Sequence, residues 1–223
     1  MELRPGNWQT DDDTLLAFIA GYGPQGGTPL AFAVVIRGTD TDGPDAWSII
    51  NQVYDDVDVL LTDPIPWSND PDNGYIAQGT SDAFSTISAF NFPLPGATLQ
   101  SYVVGLVEQA TAGGVQPYLF VVGHSLGGCM ASVFAPDLAF ALGQAGLDRK
   151  VVSATFAAPT AGDQVFVDEA QQQCWFNFRY RNDRDIVPRA WADLSLAVRP
   201  LQRLGDRDGL GGLGRARDDD RSR

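Results

Sequence analysis

Between the apolar run at residues 117–122 (PYLFVV) and a long, largely apolar stretch beginning at Leu126 lies the pentapeptide Gly123-His124-Ser125-Leu126-Gly127. An extended run that gives way to a helix within so few residues must turn sharply at its centre. The serine there is driven into strained backbone, and glycines two positions to either side remove the Cβ atoms that would collide. A strand feeding straight into a helix also cannot belong to a hairpin meander, so it points to a layered sheet with helical crossovers.

The rest of the chain fits that plan. Residues 14–22 and 30–37 are short apolar runs rich in aromatic and branched residues, separated by GPQGGTP, and read as an antiparallel β-hairpin. Residues 44–58 read as a short amphipathic helix followed by an extended piece to 61, and residues 62–74, with their prolines and acids, as a surface loop. Helices are expected over 80–90 and 97–112, the second with Leu99, Val103, Leu106, Val107 and Ala110 along one face. Residues 125–144 read as a helix that Pro136 should bend or divide. Strand 151–157, helix 163–173 and strand 174–181 complete an α/β alternation.

Charge narrows the partners. The 223 residues carry a formal net charge of −13. Seven of the 15 basic residues lie from Arg199 onward, so residues 1–198 hold eight basic against 23 acidic side chains. Such a body repels nucleic acid and anionic membrane. The longest apolar runs, 15–20 and 30–36, fall short of the ~20 residues of a spanning helix. Residues 1–13 lack a basic flank leading into an apolar run, so as written the chain is expected to be cytoplasmic, and secreted if its true start lies upstream. Cys129 and Cys174, the only cysteines, read as buried thiols rather than a disulfide.

The chemistry centres on Ser125. A hydroxyl exposed on such a turn is a nucleophile, and the Leu126 amide at the following helix N-terminus can donate to an oxyanion. In folds of this kind the acid follows the serine and a histidine follows the acid. Asp183 and Asp185, after the strand CWFNFRY, both qualify as the acid. The single histidine, His124, precedes Ser125, and neighbours on a strand project to opposite sides, so it reads as an imidazole packed beneath the turn and not as the base.

Four blocks together carry a resemblance. VVGHSLGG (121–128), VVIRGTD (34–40), FAAPTAGDQVFVD (156–168) and RNDRDIVPRAW (181–191) occur in the order in which the class 3 lipases, fungal-type triacylglycerol lipases, carry similar blocks. The chain resembles that family from residue 14 to about 201. The resemblance implies an α/β-hydrolase fold: a mostly parallel central sheet with an antiparallel N-terminal hairpin and helices on both faces. It implies Ser125 as nucleophile, Asp185 as the triad acid, and Thr39 beside Leu126 in the oxyanion hole. It implies an ester or lipid substrate, transient contact with a lipid surface, and a lid over residues 44–54. In the family the base lies some tens of residues beyond the acid, where this chain has no histidine.

Other motifs are rejected. Gly21 to Gly26 fits G-x-G-x-x-G but leads into another strand, so no helix N-terminus stands there to hold a phosphate. Asp70, Asp72 and Asn73-Gly74 do not fill a calcium loop, and the histidine and cysteine counts argue against zinc; no metal or cofactor is expected. Beyond about Leu201 the composition switches to Arg, Gly and Asp, too polar to fold. Residues 1–201 are therefore taken as the lipase-like domain lacking its histidine-bearing part, and 202–223 as a disordered or non-native tail. Three readings follow: an ester hydrolase, a non-catalytic binding protein that keeps the acyl pocket, or the frame-shifted product of an active lipase gene.

Overall fold

The computed structural model describes residues 16–38, 62–68, 74–89, 97–185 and 187–189. Strands β1 (Leu16–Tyr22) and β2 (Ala31–Arg37) form the expected antiparallel hairpin. The Gly-rich segment between them is a turn, closed by Gly27 N–H donating to Pro24 O at 3.0 Å and Leu30 N–H to Tyr22 O at 2.7 Å. Then come β5 (Tyr118–His124), β6 (Val151–Phe156) and β7 (Phe176–Tyr180), each parallel to its neighbour, in a sheet of order β1-β2-β5-β6-β7. Parallel neighbours need crossovers. The helices supply them: α1 (Gln78–Ser88), α2 (Leu99–Ala112), α3 (Leu126–Gln144) and α4 (Gln164–Gln173).

Local chemistry sets the helix starts. Thr98 opens α2 with a capping box: its hydroxyl accepts from Ser101 N–H at 3.2 Å, and its own N–H donates to the Ser101 hydroxyl at 2.9 Å. Asp163 caps α4 by accepting from Phe166 N–H at 2.8 Å. Each cap stabilises its helix by about 1 kcal/mol. On α2 the buried residues are Leu99, Val103, Val107 and Ala110, the face expected from the spacing, with Leu106 at its border.

Helix α3 is the axis of the core. It lies against β2, β5 and β6, and α1, α2 and α4 pack around it. Phe134, Met130 and Leu138 are wholly buried, meeting Val34 and Ile36 of β2 and Val121 of β5 in one cluster. By length and composition α3 could cross a membrane, but 72% of that stretch is buried inside the fold, which makes it a core helix. Pro136 does not divide it. The missing amide costs about 3 kcal/mol in an isolated helix, and burial on all sides outweighs that here.

Two expectations need correction. Residues 62–74 are not simply a surface loop: Thr62–Pro64 forms β3, paired antiparallel with β4 (Tyr75–Ala77), and Ile65 and Trp67 are buried, the latter 6.0 Å from the Phe166 ring. Trp67 finds its cover on Phe166 of α4, a contact 99 positions away in sequence and invisible to local composition. His124 is not packed beneath the turn; it is exposed. Strand alternation puts it on the sheet face opposite α3, in register with Phe156. That face carries Phe18, Phe120, Phe156, Phe176, Phe178 and Tyr180, all exposed, with Phe156 and Tyr180 stacked at 5.0 Å. Helices for that side are not among the described residues. The lid segment 44–54, Thr39 and the tail 202–223 also lie outside them.

Among the described residues, one carboxyl group is buried in this core. Asp137 on α3 is 6% exposed and accepts from Gln100 Nε2 of α2 at 2.6 Å. Burial pushes its carboxyl up to about 6, and the Gln100 hydrogen bond opposes that rise. The folded chain therefore holds a proton that the unfolded chain releases near 4, so this group's contribution to stability falls as pH rises from about 4 through 6. Asp137→Asn keeps the acceptor without the charge. Urea unfolding at pH 4, 5, 6 and 8 should show the variant more stable than the parent at pH 8 by ~1–3 kcal/mol, with the difference fading toward pH 4.

Candidate active site

Strands β2, β5, β6 and β7 run in the same direction, so their C-terminal ends form one edge of the sheet. His124, Phe156 and Tyr180 stand in register there. In open sheets this edge is where ligands bind, because the loops diverge from it and helix N-termini point toward it. Ser125 and Leu126 leave this edge from β5, and Asp185 lies in the loop that leaves it from β7. Two inter-strand spacings, about 10 Å, separate the two strands.

Ser125 adopts φ 54°, ψ −129°, one of two non-glycine residues with positive φ among the described residues. The other, Ala157, ends β6 at φ 49° and donates its N–H to Tyr180 O at 2.9 Å. Holding a side chain in this region costs of order 1–3 kcal/mol and persists only where neighbours over-determine it. Those neighbours are identifiable. Ser125 N–H donates to Phe156 O at 2.9 Å, and Ser125 O accepts from Gly128 N–H at 2.9 Å and Cys129 N–H at 3.1 Å. A Cβ on Gly123 would collide with the Gly127 carbonyl, and one on Gly127 with the Ile36 carbonyl and the Gly38 amide. The sharp turn inferred from the pentapeptide is therefore present, with both glycines where backbone meets backbone.

Although Ser125 occupies the N-cap position of α3, its side chain makes no cap hydrogen bond. Its hydroxyl is thus not committed to the helix it precedes. Leu126 is the first residue of α3, so its amide has no acceptor four residues back within the helix and lies at the positive end of the helix dipole.

Asp185 is held by its own loop. Its Oδ1 accepts from Val187 N–H at 3.0 Å, its N–H donates to Asn182 O at 3.0 Å, and Asn182 Oδ1 accepts from Arg184 N–H at 2.9 Å. Asp185 is half-buried and Asp183 is exposed. The residue missed by sequence reading is Arg179, whose guanidinium reaches Ala158 O at 3.0 Å and Pro188 O at 2.9 Å. The one cue was a cation in the middle of an aromatic strand. Both thiols are poor nucleophiles: burial pushes Cys129 and Cys174 up to about 12. Among the described residues, no group of three or more His, Cys, Asp or Glu side chains could hold a metal.

Comparison with known proteins agrees with this geometry. The model of the family described as lipase (class 3) matches residues 33–194. Among solved structures, M37 lipase superposes with a TM-score of 0.64 at 22% identity, over 89% of this chain and 58% of that one. A triacylglycerol lipase from Penicillium expansum gives 0.56 at 23% identity, over 85% and 62% of the two chains. The lipase from Rhizopus microsporus var. chinensis gives 0.57 at 20%, over 83% and 55%. This chain thus spans less than two thirds of the length of each. No match was found among curated protein sequences. The fold is that of the fungal lipases, of α/β-hydrolase type, and the chain belongs to the class 3 lipase family.

Proposed function

We propose that this domain is built for carboxylic ester hydrolysis, as a lipase or esterase, with Ser125 as its nucleophile. The observation that carries this reading is the strained Ser125 backbone, fixed by three backbone hydrogen bonds, beside a side chain that the helix does not use. Ser125 Oγ attacks the ester carbonyl. The developing oxyanion is held by the Leu126 amide and by Thr39, the residue after Gly38, where β2 ends against the turn. Collapse of the tetrahedral intermediate releases the alcohol and leaves an acyl-serine that water hydrolyses. Asp185 stands as the acid of this arrangement, placed to orient a base supplied to Ser125.

The base is what this chain lacks. A serine hydroxyl needs a proton acceptor within hydrogen-bond reach. The single histidine, His124, is exposed on the sheet face opposite α3. That placement favours a second reading, in which the chain binds acyl groups without turning them over.

Free imidazole separates the two. With a short-chain nitrophenyl ester and no additive, Ser125-dependent hydrolysis should stay near the ~10³-fold over water that binding and an oxyanion hole supply without a base. Added imidazole should raise the rate saturably, by ~10-fold or more, in the parent and not in Ser125→Ala. An imidazole effect equal in both proteins would overturn the hydrolase reading and favour the binding protein. Turnover of several per second without imidazole, lost in Ser125→Ala, would instead show that the chain supplies its own base.

The strain is testable by itself. Ser125→Gly relieves the positive φ while Ser125→Ala keeps it, so the glycine variant should be the more stable of the two by ~1 kcal/mol, or ~2–4 °C in Tm by calorimetry. Equal melting temperatures would mean that the turn stores no strain.

A further inference from the structure

The hydrogen bonds that link Asn182, Arg184, Asp185 and Val187 set the local shape of the acid loop. Among the described residues, Asn182, Arg184, Asp185 and Val187 bond to one another along the loop. The loop leaves β7, the last strand of the sheet, which has a described neighbour on one side only. Its place relative to the elbow two strands away depends on contacts that cross from one loop to another.

Arg179 spans that gap. It stands on β7 opposite Thr155 of β6. Its Nη2 donates to Pro188 O at 2.9 Å in the acid loop, to Ala158 O at 3.0 Å in the loop after β6, and lies 3.5 Å from the Thr160 hydroxyl. Pro188 follows Val187, whose amide holds the Asp185 carboxylate. Ala158 lies two residues beyond Phe156, whose carbonyl holds the Ser125 amide. A continuous path of backbone and hydrogen bonds therefore joins Ser125 to Asp185 through one guanidinium.

We infer that Arg179 is a positioning residue that fixes the Asp185 loop relative to the Ser125 elbow by clamping the carbonyls of Ala158 and Pro188. This rests on the reading of Ser125 and Asp185 as nucleophile and acid. The choice of arginine has a physical reason. A partly desolvated cation is costly unless its donors are used, and the two N–H groups of Nη2 meet one carbonyl on each of two loops. A lysine keeps the charge on a shorter, freely rotating ammonium and restores part of the tie.

Amide hydrogen exchange tests the clamp without requiring turnover. In Arg179→Gln, exchange at Val187 should accelerate by ~10-fold or more while Leu119 and Val121 in β5 change by less than ~2-fold, and Arg179→Lys should fall between. Should Arg179→Gln not fold, Arg179→Lys carries the same comparison. Unchanged exchange at Val187 overturns the inference, and so does equal acceleration at Val187 and in β5, which would mean a general loss of stability. The second arm is the imidazole-supported ester hydrolysis. Arg179→Gln should lower it by ~10-fold in the parent and by less than ~2-fold in an Asp185→Asn background, because an effect exerted through Asp185 has nothing left to act on there. Full additivity of the two substitutions overturns the inference. If the parent shows no Ser125-dependent turnover with imidazole, it is the hydrolase reading that falls, and the exchange arm still decides the clamp.

Discussion

The rest of the structure depends on a backbone-to-backbone contact at the end of β5. Gly123, the first turn of α3 and the end of β2 approach so closely that no Cβ fits between Gly123 and the Gly127 carbonyl, or between Gly127 and the Ile36 carbonyl. This contact lets α3 start directly at the sheet edge and run down across β2, β5 and β6. Because α3 lies so close, its wholly buried side chains can mesh with Val34, Ile36 and Val121, and the other helices in turn pack on α3. The same closeness leaves Ser125 no relaxed conformation. Strain at the serine and the tight core are two results of one geometric demand.

A second layer of order comes from hydrogen bonds that cross between loops. The parallel strands deliver Ser125, the Ala157–Thr160 region and the Asp185 loop to the same edge, but delivery by strands is coarse. Side chains refine it: Asp163 and Thr98 start their helices at fixed residues, and Arg179 spans two loops. Burial also settles which groups stay chemically quiet. Both thiols are held neutral by desolvation.

The aromatic face opposite α3 belongs to the same architecture. Helices on both faces are the rule for largely parallel sheets, since each face of such a sheet is apolar and needs cover. Here Phe120, Phe156, Phe178 and Tyr180 give one face the character of a second core surface, and the described helices serve the other. The chain also spans less than two thirds of the length of the lipases it superposes on.

Much of this was legible from the residues because it depends on neighbours in sequence. The G-x-S-x-G turn, the hairpin, the apolar face of α2 and the order of strands and helices all follow from backbone sterics and side-chain periodicity over a few positions, and the blocks around Ser125 and Asp185 pointed to the right family. What tertiary structure alone decided involves partners far apart in the chain. Trp67 is buried where Phe166 of α4 returns to meet it. Pro136 is tolerated because α3 is surrounded. His124 is exposed on the sheet face opposite α3, and Asp185 is half-buried where Asp183 is exposed. Arg179 matters through carbonyls 21 and nine positions away, on two different loops. Backbone carbonyls leave no mark in the sequence, because every residue has one, so only the folded chain reveals which two a guanidinium will join.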